Sequence, residues 1–146
     1  MTPAVRTTAR MIDANANRAR EGLRVLEDLA RFVLSDQGLG SELKAVRHGV
    51  TEAANRLLPT DLGLTARDAE GDVGRTASTP GESVRTGPRA VARAATARVG
   101  EALRVLEESA KIGGAEARAI EALRYRAYDA GAAVVRALTP VAPQWR

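Results

Sequence analysis

The chain has 146 residues and a mass of 15.4 kDa, enough for one domain with a real core. Without cysteine and with His48 as the one histidine, it has neither a disulfide framework nor a thiolate or histidine-rich metal centre, and any metal would take oxygen ligands, which suits magnesium. The net charge is +4, and of the 22 basic residues all but Lys44 and Lys111 are arginine, whose planar fork grips phosphate or carboxylate; a GC-rich codon bias would enrich arginine too.

Residues 1 to about 6 read as a lead-in, and Thr7 or Thr8 as the cap of a helix of roughly 25 residues ending near Ser35. Ile12, Ala16, Ala19, Leu23, Leu26, Ala30 and Val33 step by four and three, which makes one buried face. Beside that face lie Asp13, Asn17, Arg20, Arg24, Glu27 and Arg31, polar residues placed either to face a groove between helices or to form a solvated rim. The run Asp36-Gln-Gly-Leu-Gly40 stops this helix, and Ser41 is the expected cap of a second. The apolar positions of that second helix are Leu43, Val46, Val50, Ala53 and Leu57, and Pro59 ends it, completing an antiparallel hairpin.

From Pro59 to Gly87 the periodicity disappears, and three arginines against five acids give this stretch −2 while the remainder carries +6. A connection of this length inside a compact domain is uncommon unless it has a function or is disordered. A third helix is predicted from Pro88 through Lys111 to the Gly113-Gly114 stop, and a fourth from about Ala115 to Ala137. The expected organisation is therefore one all-α domain over 1–146: a first hairpin at about 8–58, a loop at 59–87, a second hairpin at about 88–138 and a tail at 139–146. No apolar run approaches the ~20 residues needed to span a bilayer, and a cytoplasmic location is expected.

The second hairpin repeats the first. Arg18-x-x-Glu21-x-Leu23-Arg-Val-Leu-Glu-Asp-x-Ala-Arg31 recurs at an offset of 80 as Arg98-x-x-Glu101-x-Leu103-Arg-Val-Leu-Glu-Glu-x-Ala-Lys111. Leu43-Lys-Ala-Val-Arg-His48 pairs with Ile120-Glu-Ala-Leu-Arg-Tyr125 at an offset of 77. Two copies of one hairpin predict a four-helix array about a pseudo-two-fold axis. Charges shared by both copies, such as Arg24 with Arg104 and Glu27 with Glu107, are equally compatible with ion pairing as scaffold. Asp13, Asn15, Asn17 and Arg20, by contrast, face Arg93, Ala95, Ala97 and Gly100 in the copy, and residues present once point to a ligand bound once. Asparagine is a poor helix former, so Asn15 and Asn17 cost stability unless their amides bond something.

No phosphate-binding Gly-x-x-x-x-Gly-Lys loop and no Gly-x-Gly-x-x-Gly turn is present, and no triad assembles convincingly around His48. In the loop, Arg67 is placed to grip phosphate and Asp68 and Asp72 to hold magnesium, among glycines that expose backbone amides. Many arginines, oxygen-only metal ligands and no nucleophile suit transfer between phosphates, where the protein chiefly aligns and neutralises charge.

Met11-Ile-Asp-Ala-Asn-Ala-Asn-Arg-Ala-Arg-Glu-Gly-Leu-Arg-Val-Leu-Glu-Asp-Leu-Ala-Arg-Phe32, with Leu43–His48, Ala66-Arg-Asp68, Gly71-Asp-Val-Gly74, Glu101–Glu107 and Leu123-Arg-Tyr-Arg-x-Tyr-Asp129, closely resembles the small helical hydroxymethylpyrimidine-phosphate kinases of thiamine biosynthesis. These occur alone or fused ahead of thiamine-phosphate synthase, and the likeness runs over about residues 10–130. It implies ATP- and magnesium-dependent phosphorylation of 4-amino-5-hydroxymethyl-2-methylpyrimidine phosphate (hereafter the pyrimidine phosphate), by a standalone chain or excised domain with a functional link to thiamine-phosphate synthase. A homodimer is a further expected partner state. Within that resemblance Arg24, Arg47 and Arg67 are the expected catalytic residues and Asp68 and Asp72 the expected metal ligands. Asp13, Asn15, Asn17, Arg18, Arg20, Glu21 and His48 are the expected substrate contacts. Two other classes fit the composition less well: a basic helical nucleic-acid-binding module and an arginine-lined all-α mutase.

Overall fold

In the computed structural model, residues 2–58, 62–75, 84–113 and 116–138 are described, and among them all regular structure is helical. The helices are α1 (Pro3–Asp28), α2 (Gln37–Leu57), a short α3 (Leu62–Ala66), α4 (Pro88–Gly113) and α5 (Ala117–Ala137). The predicted tail at 139–146, most of the 76–87 part of the loop and Gly114 lie outside the described residues.

Several ends differ from the sequence reading. Helix α1 starts at Pro3, not after Thr7: proline at the first helical position follows Thr2, whose hydroxyl accepts from the Val5 amide at 3.2 Å. Thr7 instead donates back to the Pro3 carbonyl within the helix. Helix α2 begins four residues before the expected Ser41, because Asp36 accepts from the Leu39 amide at 3.0 Å and caps it earlier. The loop also contains α3, which its composition hid. Between α1 and α2 the chain takes a π-helical turn over Leu29–Val33. This wider turn shifts the register, so Val33, expected in the buried stripe, is 53% exposed, whereas the six stripe positions before it are buried.

The four long helices form a bundle in which α1 packs on α2 and α4, and α5 packs on α4 and α2. Leucine, valine and many alanines fill the core, as the scarcity of aromatic residues demands. Neighbouring helices are tied by equivalent ion pairs. Arg47 Nε donates to Glu27 at 3.0 Å across α1 and α2, and Arg124 Nε to the buried Glu107 at 2.8 Å across α4 and α5. Helices α1 and α4 approach closely at Gly22, where a Cβ would come within 2.6 Å of Val99 Cγ2 and 3.2 Å of the Ala95 carbonyl oxygen.

Across α2 and α5, Arg126 grips Glu42 with Nη2 and Nε at 2.6 and 3.2 Å, and the hydrogen bonds hold the Glu42 carboxyl below its usual range. A carboxyl whose folded value is depressed adds stability above its unfolded value, and this is lost as pH falls through the folded one. Both side chains are more than two-fifths exposed, so water screens the pair and the contribution is a few tenths of a kcal/mol. Glu42→Gln is therefore expected to lower the melting temperature slightly at neutral pH and to converge on the parent as pH falls below the ordinary glutamate value of ~4.3 and through the depressed folded one, as thermal melts across pH would register.

Candidate functional site

The loop returns onto the N-terminal half of α1. Ala66 at the end of α3 is completely buried, and a Cβ on Gly63 would lie 2.8 Å from Asp13 Oδ1, so glycine lets the segment rest against α1. Arg67 then closes on Asp13 through a two-point fork, Nε to Oδ2 at 2.7 Å and Nη2 to Oδ1 at 3.1 Å. With Asp13 as its hydrogen-bonding and charge partner, the guanidinium is held even more firmly protonated than usual. Two of its five donors are engaged, leaving three for a ligand.

A cleft of about 480 Å³ opens beneath this contact. From α1 it is lined by Asp13, Asn15, Asn17 and Arg18, and from the loop by Arg67, Asp68 and Asp72, so residues 49 or more positions apart meet on one surface. Thr7, Arg10, Met11 and Ala14 complete the α1 wall, and the sequence reading named none of them as contacts. A second cleft of about 570 Å³ lies between α1 and α4 and shares Asn15 and Arg18 with the first.

The two asparagines do bond something, as their helix position required. Buried Asn15 donates through Nδ2 to the Met11 carbonyl at 2.9 Å and accepts from Arg18 Nη1 at 3.4 Å, which orients Arg18 between the clefts. Asn17 accepts from Arg20, whose guanidinium is thereby held on α1. Asp68 and Asp72 each use Oδ1 to accept a loop amide, from Gly71 and Gly74, both at 2.8 Å. The described residues contain no group of three or more acidic or histidine side chains placed to hold a metal ion, so the expected magnesium ligands remain a pair with one oxygen each already committed.

The remaining expected residues are not among those lining either cleft. Arg24 is 58% exposed at its side chain and sits 3.5 Å from Asp28, one turn on. Arg47 is committed to Glu27 between α1 and α2, and Glu21 and His48 are exposed. Their spacing on α1 and α2 matches a charged flank equally well whether it serves a ligand or an ion pair, and only the partner's position separates the two.

The fold and site define an all-α bundle with a polar, arginine-bearing cleft built on one repeat and closed by a loop. A family model described as the ThiD2 family matches residues 10–133, and the chain belongs to that family. It is 46% identical over 124 residues to a thiamine-phosphate synthase of Rhodopirellula baltica, covering 84% of this chain and 33% of the relative. Thiamine-phosphate synthases of a Synechocystis and a Nostoc species are 43% and 41% identical over 121 residues each, covering 82% of this chain and 34% and 33% of theirs. The chain thus spans about a third of the length of the curated relatives it matches. No solved structure matches it significantly.

These matches place the chain's family in thiamine biosynthesis and correct the expected activity. Relatives at 41–46% identity over most of the chain are named for synthesis of thiamine phosphate, not for phosphorylation of the pyrimidine phosphate. The reading as an ATP-dependent kinase is set aside on that ground. It was implied by the family resemblance, and the arginine content and absence of a nucleophile that agreed with it are features that a phosphate-binding site shares whatever reaction it serves. No helix among the described residues is long and apolar enough to cross a membrane.

Proposed function

We propose that this chain serves thiamine phosphate formation as an enzyme unit that binds a phosphorylated aminopyrimidine in the α1–loop cleft. The observation that carries this reading is the convergence of Asp13, Asn15, Asn17 and Arg18 from α1 with Arg67 from the loop on one cavity. Carboxylate and amide groups match the donors and acceptors on the edge of an aminopyrimidine, and guanidinium matches a phosphate. Asp13 and Asn17 belong to the copy of the repeat that carries these groups, in keeping with a single ligand per chain. Asp68 and Asp72 would hold a magnesium ion through their uncommitted oxygens, and the ion would supply positive charge to this cleft.

The test is calorimetric titration with the pyrimidine phosphate and, separately, the unphosphorylated alcohol. The expected result is saturable binding of the phosphate at least tenfold tighter than of the alcohol, since a site built for a charged group leaves its guanidiniums unmatched without one. No heat and no thermal stabilisation at millimolar pyrimidine phosphate would overturn the proposal.

A further inference from the structure

The two clefts that meet at Arg18 differ in charge and in wall. In the first, Arg10, Arg18 and Arg67 are balanced by Asp13, Asp68 and Asp72. In the second, Arg18, Arg85 and Arg98 outweigh the single carboxylate of Glu101. The second cleft shares the Asn15 amide with the first but lacks that of Asn17. Besides Arg98 and Glu101, its α4 wall is Ala94, Ala97, Ala102 and Val105, and Ala97 stands where the repeat has Asn17 on α1. What the repeat does keep is the arginine: Arg18 and Arg98 occupy equivalent positions, and both line this cleft.

Arg98 is exposed, and among the described residues no ion pair or hydrogen bond engages its side chain. Arg67, by contrast, is forked onto Asp13. A dianion entering from the first cleft meets a neutralised guanidinium there and an unneutralised one across Arg18. We propose that the second cleft is the anion subsite, with Arg98 on α4 joining Arg18 to hold the phosphate or diphosphate of a ligand whose ring lies in the first cleft. The assignment of the ring rests on the function proposed above; the anion subsite rests on the charge and walls of the α1–α4 cleft.

Inorganic pyrophosphate separates the two claims. Phosphorus-31 resonance titration of the full chain is expected to show saturable pyrophosphate binding that Arg98→Ala weakens at least tenfold and Arg98→Lys weakens less, while Arg118→Ala, an exposed arginine on α5 away from both clefts, stays within twofold of the parent. Affinity for the pyrimidine phosphate should fall in parallel in Arg98→Ala. Thermal melts of each variant should match the parent, since among the described residues no ion pair or hydrogen bond ties the Arg98 side chain to the fold. If pyrophosphate binds through Arg98 but the pyrimidine phosphate does not bind, the anion subsite stands and the ring assignment falls. If the pyrimidine phosphate binds equally to parent and Arg98→Ala, or pyrophosphate binds neither, or Arg118→Ala loses as much as Arg98→Ala, the subsite is overturned.

Discussion

Arg18→Ala is expected to weaken binding of the pyrimidine phosphate by about a hundredfold, close to 2.8 kcal/mol, with no matching loss of thermal stability. Arg18 is the cationic side chain that lines both clefts, and its hydrogen bond within the protein is a 3.4 Å contact to Asn15. Removing it costs the fold little but takes away a charge-assisted bond of the stronger kind, typically 1.5–3 kcal/mol. Arg18→Lys keeps the charge and loses the planar fork, so an intermediate affinity is expected. Arg24→Ala supplies the contrast: its partner is Asp28 on the same helix, outside the clefts, and affinity should stay within twofold. Titration of the three variants beside their melting curves decides the matter, and equal losses in Arg18→Ala and Arg24→Ala would show that the clefts are not where the ligand sits.

Gly22→Val is expected to destabilise the chain by about 2–3 kcal/mol, read as a lower urea midpoint at unchanged slope. Valine carries better helix propensity than glycine by a few tenths of a kcal/mol, which works in the other direction. The packing term decides the sign. Its first added carbon would already lie 2.6 Å from Val99 Cγ2, and the Ala95 carbonyl 3.2 Å away is backbone of the neighbouring helix, so α1 and α4 must part. Ala102, the counterpart of Gly22 in the second hairpin, is itself buried and 2% exposed, so the copy tolerates a methyl where α1 does not. Parting α1 from α4 would also open the cleft that Arg18 and Arg98 line, so the same variant should bind pyrophosphate less tightly.

The pattern of small core residues, the stops near Leu57 and Gly113 and the start at Pro88 were legible because each depends on local chemistry: spacing of apolar residues, proline and capping groups. Val33 escaped that logic because a π-helical turn shifts the register without a proline or glycine to announce it. The α1 half of the candidate cleft was legible for a different reason. Asp13, Asn15 and Asn17 are present in one copy of a repeat and absent from the other, and that asymmetry can be read from letters alone.

The sequence by itself determined an all-helical chain, its buried stripes and a set of candidate polar residues on α1. Which arginines line a cleft and which pair with a carboxylate was decided only by the tertiary structure. Arg18, Arg24, Arg47, Arg67 and Arg98 are alike as letters, but a guanidinium acts on whatever lies within a few ångströms, and that is set by helices and a loop distant in the chain. Arg47 finds Glu27 across the hairpin and Arg67 finds Asp13 from 54 positions away, whereas Arg18 and Arg98 come together on the cleft between α1 and α4. Charge fixes what an arginine can hold, and packing fixes what it is offered.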